Sequence, residues 1–81
     1  MIITLRLFSV LREAFGTANA EVEVEDGTTG AELVEILALN NEVAAKLKTV
    51  IKLAVNDDYV DSDCILKEGD EVALLTPVSG G

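Results

Sequence analysis

The spacing of apolar residues changes twice along this chain, and this change limits the folds that are open to it. Over the first eight residues and again after residue 50, apolar and polar positions alternate, as they do on half-buried strands. Between these regions, residues 29–39 carry apolar side chains at the three- to four-residue spacing of a helix, with a buried side predicted to consist of Leu33, Val34, Ile36 and Leu37. Because strands and helices do not alternate regularly, the chain is predicted to be an α+β domain with one main helix on a mixed sheet.

Turn and capping residues predict where the elements begin and end. Thr29 and Glu32 have the spacing of a capping box, in which each side chain satisfies a free backbone donor at the start of a helix. Ser9 is predicted to cap a short helix over residues 10–15, and Gly16 to end it in a left-handed conformation. The predicted strands cover residues 1–8, 20–25, 51–55, 59–60 and 71–75, and a second, shorter helix covers residues 42–48.

Length and charge exclude several classes of function. Eighty-one residues predict a single domain over residues 1–81, in which Pro77 ends the last strand and residues 77–81 form a flexible tail. The net charge of −9 repels phosphate backbones and anionic lipid, so we expect no nucleic acid or membrane partner and favour a basic protein partner. No apolar run is long enough to span a bilayer and no export signal is recognisable, so the expected location is cytoplasmic.

Few side chains are suited to catalysis. The chain has no histidine and a single cysteine, Cys64, which excludes histidine-based nucleophilic sites, thiolate metal sites and an intramolecular disulfide. The carboxylates fall mostly at predicted exposed positions, and the glycines are too scattered for a phosphate-binding loop. We therefore expect no metal and no bound cofactor, and a protein that is either not an enzyme or a subunit that depends on a catalytic partner.

The last two residues, Gly80 and Gly81, have two interpretations. Terminal glycines are common in frayed ends. Alternatively, residues without a Cβ can extend through a channel too narrow for side chains and present the terminal carboxyl group to another protein's active site. The terminus alone does not decide between them.

Four segments stand in the order typical of one known family. They are Phe8-Ser9-Val10-Leu11-Arg12-Glu13-x-x-Gly16, Ala54-Val55-Asn56, Gly69-Asp70-Glu71-Val72 and Pro77-Val78-Ser79-Gly80-Gly81. In combination they resemble the small, sulfur-carrying subunits of molybdopterin synthase, which are ubiquitin-like β-grasp proteins. The resemblance covers essentially the whole chain. It departs from the family pattern at Thr76, where a second proline is frequent, and at Leu75, where an aromatic residue is common.

The resemblance implies a sulfur-carrier function in molybdenum cofactor biosynthesis. The carboxyl group of Gly81, preceded by Gly80, would be adenylated by an activating enzyme of the ubiquitin-activating type and converted to a thiocarboxylate by a sulfur donor protein. ATP would be used by that activating partner and not bound by this chain. The thiocarboxylate would then donate sulfur to cyclic pyranopterin monophosphate on the large subunit, which would supply the catalytic side chains.

Strand parity, the alternation of successive side chains between the two faces of a sheet, predicts a docking surface for such a partner. If Ile3, Leu5 and Leu7 face the helix, Phe8 faces the other way, and Leu75 does so on the last strand. The β-grasp resemblance makes the first and last strands neighbours, so that Phe8 and Leu75 form an exposed apolar patch with Tyr59 at its margin. Contacts of the tail residues Pro77, Val78 and Ser79 with the partner are also implied. The alternative is that Phe8 packs into the core beneath residues 10–15.

Two other functions are compatible with a Gly-Gly terminus. The sulfur carrier of thiamine biosynthesis is also a β-grasp protein, although the Leu11-Arg12-Glu13-x-x-Gly16 segment favours the molybdopterin carriers. A ubiquitin-like modifier would instead form isopeptide bonds with lysines on target proteins, and a plain interaction module would leave its terminus unmodified.

Overall fold

The computed structural model describes residues 1–77 and arranges them as one mixed sheet covered on one side by helices. In chain order the elements are β1 (Ile2–Leu7), α1 (Ser9–Phe15), β2 (Asn19–Glu23), α2 (Gly30–Asn40), α3 (Glu42–Leu47), β3 (Lys52–Val55), β4 (Asp58–Val60) and β5 (Glu71–Leu75). The strand order is β2-β1-β5-β3-β4. β1 and β5 are parallel, and the other pairs are antiparallel. The predicted β-grasp arrangement, with the first and last strands as central neighbours, is confirmed.

The core lies between the sheet and the helices, where alternate strand residues meet the dry side of α2. Ile3, Leu5 and Leu7 are almost completely buried, as parity predicts. On β5, Val72 and Leu74 are fully buried. The other members of the core are Leu11, Val24, Leu33, Val34, Leu37, Ala44, Leu53 and Leu66. No helix within residues 1–77 covers the opposite side of the sheet, which is called the outer face.

Helix α2 begins at the predicted capping box and buries a narrower side than predicted. The Thr29 hydroxyl accepts a hydrogen bond from the Glu32 N–H, and the Glu32 carboxylate accepts one from the Thr29 N–H. Ile36, however, is 38% exposed, so its assignment to the buried side was wrong. Each residue turns a helix by about 100°, which places Ile36 on the flank of the side that contacts the sheet.

Helix α1 begins one residue earlier than predicted and has no side-chain cap. Its N-cap is Phe8, whose carbonyl accepts hydrogen bonds from Leu11 and Arg12. The prediction that Ser9 caps this helix was wrong, because Ser9 is already its first residue, with a φ of 49°. Gly16 does end α1 in the left-handed conformation.

The hairpin between β3 and β4 is closed by a turn one residue shorter than the gap, residues 56–58, between the two predicted strands. Val55 pairs with Asp58, so only Asn56 and Asp57 lie between the strands. Both have positive φ, at 51° and 74°, which is the backbone of a type I′ turn. The Asn56 side chain also donates to Asp70 and accepts from the Glu71 N–H, which fixes the hairpin against the start of β5.

Candidate docking face

The predicted docking residues Phe8 and Leu75 lie on the outer face, at the end of the sheet where β5 finishes. Leu7 pairs with Leu74 in the parallel β1–β5 ladder, so the next residues along the two strands, Phe8 and Leu75, are neighbours. Phe8 is 41% exposed and Leu75 is half-buried. The alternative of a core position for Phe8 is excluded, and the predicted exposure is confirmed for Phe8, whereas Leu75 is less exposed than predicted.

Tyr59 lies on the same face but at its margin. It belongs to the edge strand β4, is 78% exposed and pairs with Ala54, which pairs in turn with Ala73 on β5. With strands about 4.8 Å apart, Tyr59 is two strand spacings, about 10 Å, from β5. The structure therefore brings Phe8 and Leu75 together and leaves Tyr59 as a separate apolar group on the same surface.

The tail begins directly beside this patch. The ladder ends at Leu75, and Thr76 and Pro77 follow outside it, with Pro77 exposed. The predicted contact residues Val78 and Ser79 and the predicted reacting residues Gly80 and Gly81 lie outside the described residues.

Two alanines on this face were missed by the sequence reasoning. Ala73 and Ala54 are paired across β5 and β3, and their small side chains leave a depression of about 100 Å³. Its walls are formed by Arg6, Phe8, Asp57 and Glu71. Parity alone places Ala73 on the outer face, between the inward Val72 and Leu74. Only the strand order reveals that Ala54 lies beside it.

An ion pair links β1 and β5 on the outer face. The Arg6 guanidinium donates to the Glu71 carboxylate at 2.9 Å, and both side chains are nearly half exposed. A pair this accessible to solvent contributes at most about 1 kcal/mol to stability, so either partner is available to a docking protein at small cost. The face thus combines two apolar groups at the tail end with a shallow, charged depression beside them.

The part of the chain that the structure describes offers few other sites. Within residues 1–77, no group of three or more acidic, cysteine or histidine side chains is placed to hold a metal ion. Cys64 is a free, half-buried thiol in the loop before Ile65. None of the helices in this range has the length and apolar character required to cross a membrane.

Comparison with known proteins agrees with this geometry. The model of the ThiS family matches residues 5–81. The molybdopterin synthase sulfur carrier subunit of Chlamydomonas reinhardtii is 35% identical over 85 aligned residues, which cover 100% of this chain and 100% of the relative.

Solved structures show the same fold and, in one case, a complex. A putative molybdopterin converting factor subunit 1 from Pyrococcus furiosus superposes with a TM-score of 0.81 at 27% identity, covering 96% of this chain and 99% of that one. A chain from the complex of subunits 1 and 2 of the molybdopterin-converting factor from Helicobacter pylori superposes with a TM-score of 0.69 at 27% identity, with both chains fully covered. The match over residues 5–81, together with the fold, establishes that this chain belongs to the ThiS family.

Proposed function

We propose that this protein is the sulfur-carrier subunit of a molybdopterin synthase. The observation that carries the proposal is the family match, which runs from the first strand through the C-terminal glycines. The Chlamydomonas relative, which aligns over its full length, is itself a molybdopterin synthase sulfur carrier subunit. The scarcity of catalytic side chains supports a role in which this chain carries the reacting group and a partner supplies the chemistry around it.

The reacting group in this proposal is the carboxyl carbon of Gly81. A carboxylate has no leaving group, so an activating partner first transfers AMP from ATP to it and releases pyrophosphate. A persulfide on a sulfur donor protein then displaces AMP to give an acyl disulfide, and a thiol cleaves its S–S bond to leave the thiocarboxylate. Its sulfur is a good nucleophile at neutral pH and attacks cyclic pyranopterin monophosphate in the large subunit. The attack leaves the carrier joined to the pterin as a thioester, and water hydrolyses this bond to give the pterin thiol and the Gly81 carboxylate. Two such transfers supply the two sulfurs of the dithiolene.

The outer face would hold the carrier while its tail reaches the active site. Phe8 and Leu75 lie where the tail leaves β5, so a partner that covers them also fixes the direction of the tail. Four residues after Pro77 span at most about 14 Å. A partner's active site therefore has to lie within that distance of Pro77, and Gly80 and Gly81 suit a narrow approach because they lack side chains.

The experiment that tests the proposal combines the carrier with a large subunit and follows conversion of the pyranopterin precursor. Carrier charged by the activating enzyme should show, by mass spectrometry, the replacement of one carboxyl oxygen by sulfur. A variant without Gly81 loses about 3.5 Å of reach and its reacting position, so it should fold normally and transfer no sulfur.

The same measurements separate the alternatives. Normal molybdopterin synthesis by the Gly81 deletion would refute the proposal. A thiamine-pathway carrier would acquire the same sulfur but would not convert the pyranopterin precursor. A protein modifier would appear as a ladder of larger conjugates, and an inert interaction module would show neither sulfur nor conjugates.

A further inference from the structure

The free edge of strand β2 carries backbone groups that are directed away from the sheet. β2 is the outermost strand of the sheet and, among the strands of residues 1–77, pairs with β1 alone. Met1 and Val24 exchange both backbone hydrogen bonds. In an antiparallel ladder, hydrogen-bonded and non-bonded residue pairs alternate, so Val22 and Ala20 are also hydrogen-bonded to β1. Glu21 and Glu23 belong to the non-bonded pairs, and their backbone N–H and carbonyl groups therefore point away from the sheet. Two N–H groups and two carbonyls are therefore positioned to pair with an added strand.

A groove lies beside this edge, on the helix side of the sheet. It has a volume of about 1060 Å³ and runs between the end of β2 and α2. Its apolar surface comes from Met1, Val24 and Ile36, and Ile36 is 38% exposed. The rim is acidic and consists of Glu23, Glu25, Asp26, Glu32 and Glu35. An apolar floor along an open strand edge fits an extended chain better than a compact ligand.

The charges around the groove define what can occupy it. On the rim, Glu35 pairs with Lys48, and Asp26 lies 3.9 Å from the amino group of Met1. The carboxylates along the β2 edge, those of Glu21, Glu23 and Glu25, make no ion pair within residues 1–77. A second copy of this chain is disfavoured, because pairing two β2 edges would bring glutamates of both copies together and the chain already carries a charge of −9. Charge complementarity therefore selects a basic segment.

We propose that the β2 edge and this groove bind an extended, basic segment of a partner protein by strand addition. Residues opposite Glu21 and Glu23 would point to the outer face and carry the lysines or arginines. The residues between them would point to the helix side and place apolar side chains against Ile36. The segment would thus alternate basic and apolar residues.

This site is separate from the docking face. Glu23 pairs with Ile2 at the start of β1, whereas Phe8 follows the end of the same strand, six residues or about 20 Å away. Both surfaces can therefore be occupied at once. The inference does not depend on the sulfur-carrier function, since it uses neither the tail nor its terminus.

The test uses a fluorescein-labelled peptide that alternates lysine and valine, titrated with the intact protein at physiological salt. Two control peptides have the same sequence and carry N-methyl groups on their backbone amides. One is methylated at the lysines and the other at the valines, so the two have the same charge and amino-acid composition. Successive amides of a strand point to opposite sides, so one methylated peptide should lose binding and the other should keep it. Equal affinity of the two methylated peptides, high or low, overturns the proposal, since attraction by charge alone does not distinguish them.

Protein variants locate the bound peptide. Ile36→Asn should weaken binding about tenfold, because it removes the apolar contact without changing the charge. Glu23→Gln should weaken it more than Asp61→Asn, which makes the same charge change away from the groove. On binding, the amides of Glu21 and Glu23 should become protected from hydrogen exchange. Unchanged exchange at these two amides, or equal effects of the two neutralised carboxylates, would refute the site.

Discussion

Replacing Phe8 by aspartate tests whether the outer face is the surface that a large subunit covers. The side chain is 41% exposed. For an aromatic residue of about 200 Å², this corresponds to roughly 80 Å² of surface, and covering it would contribute about 2 kcal/mol. Phe8→Asp should therefore weaken binding of the large subunit at least about 30-fold, and desolvation of the new carboxylate would add to the loss.

The same substitution should leave the monomer folded. The part of Phe8 that is already buried, roughly 120 Å², contributes at most about 3 kcal/mol to folding. Phe8 is also the uncapped N-cap of α1, where an aspartate can accept a hydrogen bond from the Val10 N–H and restore about 1 kcal/mol. The net loss of about 2 kcal/mol is smaller than the stability of a typical domain.

Binding is measured by calorimetric titration with the large subunit, and stability by urea unfolding. Leu39→Asp is the matched surface control, because Leu39 is 85% exposed on α2, on the helix side of the sheet, and its replacement should not affect binding. Leu7→Asp is the control for core damage, because Leu7 is only 1% exposed and should not tolerate a charge. Wild-type affinity in folded Phe8→Asp would refute the assignment of the docking face, and unfolding of this variant would refute the packing argument.

Three further substitutions have distinct expected results. Gly80→Val should impair adenylation or sulfur transfer without lowering the melting temperature, and normal rates in both assays would remove the narrow-channel argument. Gly30→Ala should destabilise the fold by about 1–2 kcal/mol in urea, because its Cβ would lie 2.5 Å from the buried Leu53 Cδ1 and 3.3 Å from the Ser62 carbonyl oxygen; unchanged stability would mean that Leu53 can move aside. Asn41→Ala should cost about 1–2 kcal/mol, because the Asn41 side chain caps α3 and also donates to the Ala14 carbonyl, and a loss below 0.5 kcal/mol would contradict that dual role.

Features that depend on neighbouring residues in the sequence were predictable. The alternation of β1 determined which of its side chains are buried, and the capping box at Thr29 marked the start of α2 to the residue. The hairpin turn at Asn56 and Asp57 follows from residues that tolerate positive φ. Each of these signals spans only a few residues, so the rest of the fold does not alter it.

The errors concern positions where the surrounding fold decides. Ile36 has the helical spacing of a buried residue, but only one sheet covers α2, and its buried side extends no farther than Gly30, Leu33, Val34 and Leu37. Ser9 is a favourable capping residue by type. The turn out of β1, however, places it inside the helix, and the preceding Phe8 takes the capping position. The amino-acid composition and the spacing of apolar residues contain no information about how wide a side of α2 the sheet covers or about the direction of the turn after β1.

The position of the docking face depends on the direction of strand pairing, which periodicity does not provide. Parity places Phe8 and Leu75 on one side of the sheet in any arrangement of β1 and β5. If these strands were antiparallel, the end of β5 would lie beside the start of β1, and Leu75 would be about 20 Å from Phe8. The parallel pairing of Leu7 with Leu74 instead brings both apolar residues to the end of the sheet where the tail begins. A partner that covers this patch therefore also limits the positions that residues 78–81 can reach. Because docking and tail direction are linked in this way, the substitution Phe8→Asp tests both docking and sulfur delivery.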